Sequence, residues 1–135
     1  MAFADPERVS LDDGDAPHAD LPVLDRDMLD EQIFGDADFL LELVRVFTTD
    51  SAATLDAIAA ALGAGDASAI EYGAHRLKGS LGALAALAAC DAARRLEATG
   101  KAGDLVGAAR AWDVLQRELA RLRPELERAT GRRAG

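Results

Sequence analysis

Apolar residues recur along this chain at three- and four-residue steps, and short runs containing Gly and Asp interrupt them. Such spacing lays apolar side chains along one face of a helix. Over Leu24 to Ile33, Met28, Leu29 and Ile33 share a face behind Asp25, and Gly35 follows as a stop. A second helix starts near Asp36 and carries a stripe through Leu40, Leu43, Val44, Phe47, Leu55, Ile58 and Leu62 until Gly63 and Gly65 end it. Asp66 is placed to cap a third, whose inward positions are Ile70, Ala74, Leu77, Leu81 and Leu84. A fourth spans Leu87 to Thr99 through Cys90, Ala93 and Leu96, with GKAG after it read as a turn. The last runs from Asp104 to near Thr130, with Leu105, Trp112, Leu119 and Leu126 at heptad spacing. Pro124 removes a backbone donor inside it, so a kink or break is expected there.

Four helices with short Gly-containing connections predict an all-α fold: an antiparallel four-helix bundle, with the short additional N-terminal helix covering one end. Residues 1–22 mix Asp, Gly, Pro and Ala without a period and read as a flexible acidic tail, with His18 incidental within it. The bundle domain then covers 23–130, and 131–135 form a flexible C-terminus. The stripes alone suit a monomeric bundle or a coiled-coil dimer, and the monomer is the expectation taken forward.

Composition narrows the picture. At 135 residues the chain supports one core, and its low aromatic content of 4% with abundant Ala and Leu favours helices. Cys90 is the sole cysteine, so no intrachain disulfide forms, and no long apolar run predicts a membrane span. The cytoplasm is the expected location. Residues 1–50 carry 14 acids against 3 arginines, whereas 51–135 carry 10 acids against 12 bases. That balance offers no clustered basic face, which argues against nucleic acid.

Candidate chemistry centres on AHRLKGSLGAL, residues 74–84. With the inward direction of the third helix as zero and about 100° per residue, His75 lies at about 140°, Gly79 at about 180°, Gly82 at about 120° and Lys78 at about 80°. The imidazole therefore points outward, and both glycines clear the face beside it. Each interior glycine costs about 1 kcal/mol relative to alanine. Glycines serving helix packing belong nearer zero degrees, so close approach by a partner is the better account. Lys78, one of only two lysines beside 13 arginines, adds a flexible point charge on the same flank. Glu71 lies one turn before His75 and is taken with Gly79, Gly82 and Ser80 as a partner-docking position; a histidine and a carboxylate alone make no metal site, and none is expected.

An exposed imidazole is nucleophilic near neutral pH, and its phosphoramidate is a usable high-energy carrier. The chain shows no phosphate-binding Gly-rich loop, no paired Asp for magnesium and no based nucleophile, so no independent kinase or ATPase activity is expected. The missing groups would come from a partner.

AHRLKGS at 74–80, preceded by GDADFLLELVRVF at 35–47 and ALGAGD at 61–66 and followed by Cys90 and LEATG at 96–100, resembles the histidine-containing phosphotransfer (HPt) domain. The resemblance covers residues 22–128. It implies that His75 accepts a phosphoryl group from one receiver-domain aspartate and passes it to another, with Lys78 as the neighbouring cation. Gly79 gives the receiver access and Ser80 closes the motif. The implied partners are receiver domains of hybrid histidine kinases or response regulators. No intrinsic cofactor is implied, and Mg2+ is expected in the receiver. Many members carry glycine ten residues after the histidine, where this chain has Ala85, a departure that bears on the helix end or docking surface. Lys-Gly-Ser, in place of the Lys-Gly-Gly or Lys-Gly-Ala of chemotaxis kinases, favours a phosphorelay. The competing readings are a non-catalytic adaptor that binds receivers or kinases, and the phosphoacceptor module of a chemotaxis-type kinase.

Overall fold

The computed structural model describes residues 20–131; the acidic stretch as far as Ala19, His18 included, and the last four residues lie outside it. Five helices follow in order: α1 (Arg26–Gln32), α2 (Ala37–Ala64), α3 (Ala67–Ala83), α4 (Leu87–Ala102) and α5 (Leu105–Thr130). Aspartates open four of them. Asp25, Asp36, Asp66 and Asp104 each accept hydrogen bonds from first-turn amides, satisfying donors that have no partner inside the helix. Gly65, Gly103 and Gly131 end α2, α4 and α5 in left-handed backbone conformations.

Connections this short force antiparallel neighbours, and α2 to α5 form the expected bundle. The broadest seam is α3 on α4, then α4 on α5, then α2 on α3, and of these neighbouring pairs α2 and α5 touch least. Ile58, Ile70, Leu77, Leu81, Leu84, Leu96, Leu115 and Leu122 fill the core. Four of the five inward positions of α3 thus appear among its largest members, and the fifth, Ala74, is fully buried.

The segment before α2 ties down the α3–α4 turn. Helix α4 has no side-chain cap; instead the Ala88 N–H donates to the Pro22 carbonyl at 3.0 Å. The Asp25 N–H donates to the Ala85 carbonyl at 2.9 Å, and Gln32 Nε2 donates to the carbonyls of Gly82 and Ala83 at 3.2 and 2.7 Å. Those last two bonds tie α1 to the C-terminal carbonyls of α3, of which that of Gly82 also accepts from the Ala85 N–H at 3.0 Å. Ala85 itself is fully buried with φ of 58°, the region where glycine carries no steric penalty. The departure noted at this position therefore concerns the helix end.

Three sequence expectations change. GKAG is not a turn: α4 continues through Gly100 and Lys101 to Ala102, and only Gly103 bends the chain. Gly63 does not stop α2, which ends at Gly65. No break occurs at Pro124, which lies inside a continuous α5. The carbonyl deprived of its donor belongs to Ala120, which is exposed like Pro124 and open to water, while Leu122 and Leu126 anchor the helix in the core on either side.

Candidate functional site

His75 lies midway along α3, with 65% of its side chain exposed, so the outward direction read from periodicity holds. Its position is set from the next helix. Glu97 of α4 reaches across the seam and accepts from His75 Nδ1 at 2.8 Å through Oε2, while its Oε1 accepts from Lys78 Nζ at 2.7 Å. One carboxylate thus holds both residues of the motif. An ionised carboxylate can only accept, so Nδ1 carries the proton and, in the neutral ring, Nε2 keeps its lone pair facing solvent.

The hydrogen bond from Lys78, aided by that from His75 and opposed by burial, holds the Glu97 carboxyl below its ordinary range. It therefore stays ionised at neutral pH. Lys78 is only about one-third exposed, and its carbonyl accepts a bond from Cys90 Sγ at 3.5 Å. Burial pushes the Cys90 thiol up, against the pull of the Lys78 charge, so this cysteine is a protonated, half-buried packing group.

The close approach of α4 to α3 depends on a glycine. A Cβ at Gly100 would stand 2.8 Å from the Glu71 amide nitrogen and 3.0 Å from the Ala67 carbonyl oxygen, both backbone atoms that cannot swing aside. Gly100 is one turn from Glu97 along α4, so the contact fixes the helix that carries the carboxylate. Gly73 does the same on the opposite side of α3, where a Cβ would stand 2.6 Å from Cγ1 of the fully buried Ile58.

The remaining candidates divide. Gly79 is exposed and a Cβ there would meet nothing within 4 Å, so the face beside His75 is open. Gly82 is half-buried, its carbonyl engaged by Gln32, with Cys90 Sγ 3.8 Å from where a Cβ would stand. A Cβ there would make an ordinary contact with α4. Ser80 is exposed and donates to the Arg76 carbonyl at 3.4 Å, a bond within its own helix. Glu71 forms no ion pair with the described residues, and its backbone rather than its carboxylate is what Gly100 meets. Among the described residues no group of three or more His, Cys, Asp or Glu could hold a metal ion.

Glu97 is the residue that sequence reasoning missed. It lay within the quoted LEATG stretch, but helix periodicity relates residues on one helix and carries no information about which side chain of α4 faces which of α3.

A family profile described as Hpt domain matches residues 42–125. The fold also superposes on the crystal structure of histidine-containing phosphotransfer protein B (HptB) from Pseudomonas aeruginosa PAO1, with a TM-score of 0.75 and 29% sequence identity, covering 84% of this chain and 98% of that one. No curated protein matches the sequence.

Proposed function

The chain belongs to the Hpt domain family and is a histidine phosphotransfer protein of a phosphorelay; from that premise we propose that His75 is the residue that carries the phosphoryl group. The observation that supports it most is the exposed His75 ring, clamped at Nδ1 by Glu97 beside the open surface of Gly79. The Nε2 lone pair attacks the phosphorus of a receiver's aspartyl phosphate. A nitrogen–phosphorus bond forms as the aspartate oxygen–phosphorus bond breaks, and the carboxylate leaves with that electron pair. Nδ1 keeps its proton, so positive charge gathers on the ring, and the Glu97 carboxylate stands ready to balance it. Lys78, held by the same carboxylate, presents its ammonium to the phosphoryl oxygens. The reverse sequence passes the group to a second receiver.

The acidic cleft and Mg2+ that the chemistry needs would be the receiver's, and receivers of hybrid kinases or response regulators are the partners we assign. His75, Lys78 and Glu97 all belong to one chain, which supports action as a monomer. Among the described residues no helix is long and apolar enough to cross a membrane, and a cytoplasmic site of action suits such partners.

Incubation with a phosphorylated cognate receiver should label the wild type and leave His75→Gln unlabelled, and Lys78→Ala should slow transfer with the helical circular dichroism unchanged. Label on His75→Gln removes the assignment. Direct ATP-dependent labelling of His75 by a separate kinase, with no transfer from any receiver, would instead mark a chemotaxis-type phosphoacceptor.

A further inference from the structure

His75 stands between two cations of its own helix, and they are held in different ways. At about 100° per residue, Lys78 lies on the α4 flank of the ring at about 80°, whereas Tyr72 falls at about 200° and Arg76 at about 240°, on the opposite flank. Glu97 engages Lys78 at 2.7 Å. Arg76 is exposed and pairs with no acid among the described residues; its Cζ lies 5.9 Å from the centre of the Tyr72 ring instead. That ring is itself 66% exposed, one turn before His75.

Tyr72 is outside the core cluster, so its aromatic surface is not explained by packing of the bundle. Arg76 reaches back to it because helical side chains lean towards the N-terminus, and the contact keeps the guanidinium on the outward face beside His75. A cation over an exposed ring is held weakly, so a carboxylate can draw it away. The parallel donors of a guanidinium also match the two oxygens of a carboxylate, which an ammonium does not. A partner that exchanges a phosphoryl group between its aspartate and His75 brings such groups to this face. Its Mg2+ is held by further carboxylate oxygens, so the surface that meets α3 is acidic.

Resting on the reading of His75 as the phosphoryl carrier, we propose that Arg76, held ready on Tyr72, pairs with a carboxylate at the edge of the incoming receiver's cleft and discriminates among receivers by the charge they carry there. Lys78 and Glu97 serve the transfer, and Arg76 serves the encounter. Attractive charges at the rim of an interface speed association and make it salt-dependent.

Transfer from a phosphorylated receiver domain that labels His75 in the wild type tests this, followed over a range of receiver concentrations at low and high salt. Arg76→Gln is expected to raise the half-saturating receiver concentration by up to about fivefold, with the rate at saturation unchanged. Arg76→Glu should raise it further and flatten the salt dependence. Tyr72→Phe, which keeps the aromatic face, should dock as the wild type does, while Tyr72→Ala loses part of the effect of Arg76. Arg123→Glu, on the rim of the apolar groove between α2 and α5, makes the same change of net charge away from α3 and should also dock normally. Normal docking and salt dependence in Arg76→Glu, with His75 still labelled, overturn this inference alone. So does an equal effect of Arg123→Glu, which would mark net charge in place of a local pair. Absence of label on wild-type His75 with every receiver removes the phosphoryl-carrier reading, and this inference with it.

Discussion

Between α3 and α4 the helices meet through residues with little or no side chain; between α2 and α5 they stand apart on Phe47, Leu55 and Leu119. At the first seam Gly100 lies against the backbone of Glu71, and the buried alanines of α4, such as Ala89 and Ala93, add little bulk. Glu97 can then reach both His75 and Lys78 at hydrogen-bond distance. At the second seam no hydrogen bond or ion pair between side chains of the two helices is found among the described residues. The difference shows where the fold spends its rigidity. If His75 carries the phosphoryl group as proposed, its support needs to be fixed, whereas the far side of the bundle only has to hold together.

Truncation in the core beneath the site should sharpen this contrast most. Leu96→Ala, removing a fully buried side chain one residue before Glu97, is expected to cost about 2–5 kcal/mol in chemical denaturation. Leu119→Ala, in the half-covered groove wall, should cost clearly less. Equal losses at both positions would mean that the α2–α5 seam is as well packed as the other.

Gly100→Ala comes next. Its Cβ has to push against backbone, so a loss of about 1–3 kcal/mol is expected even though alanine is the better helix former. Because α4 must shift, phosphotransfer should slow as well. A more stable and fully active variant would show that the approach of α4 is not set by this glycine.

The smallest stability effect belongs to Gly79, where a Cβ meets nothing. Gly79→Ala is expected to gain up to about 1 kcal/mol from helix propensity. Gly79→Gln should gain stability too, while weakening transfer by crowding the face beside His75. Undiminished transfer in that variant would break the link between the open face and receiver docking.

The same contrast marks what could be read from the sequence. Helix order, the aspartate caps and the outward direction of His75 follow from periodicity and local hydrogen-bonding chemistry, which act over a few residues. Gly100 could not be read correctly, because glycine in a turn and glycine at a helix crossing look alike along the chain, and only the neighbouring helix decides between them. Gly82 adds a contact that periodicity does not show: its angle matches that of His75, and a Cβ there would touch Cys90 of α4 at 3.8 Å. The break allowed for at Pro124 does not occur, and Leu122 and Leu126 are buried on either side of it. Glu97 needed knowledge of the seam itself.

The central claim is that Glu97 fixes His75 with the proton on Nδ1 and the lone pair on Nε2. A group whose pKa is lowered on folding contributes fully above its unfolded value and loses that contribution only as pH falls through the lowered one. With Glu97 held below the ordinary carboxylate range, chiefly by Lys78, the clamp is complete at neutral pH and releases in acid. Nitrogen NMR of the His75 ring, recorded where the imidazole is neutral, reads the tautomer directly. The account predicts a protonated Nδ1 and an unprotonated Nε2 in the wild type, giving way to a tautomer mixture in Glu97→Ala; a ring protonated at Nε2, or a tautomer unaltered by that substitution, would contradict it.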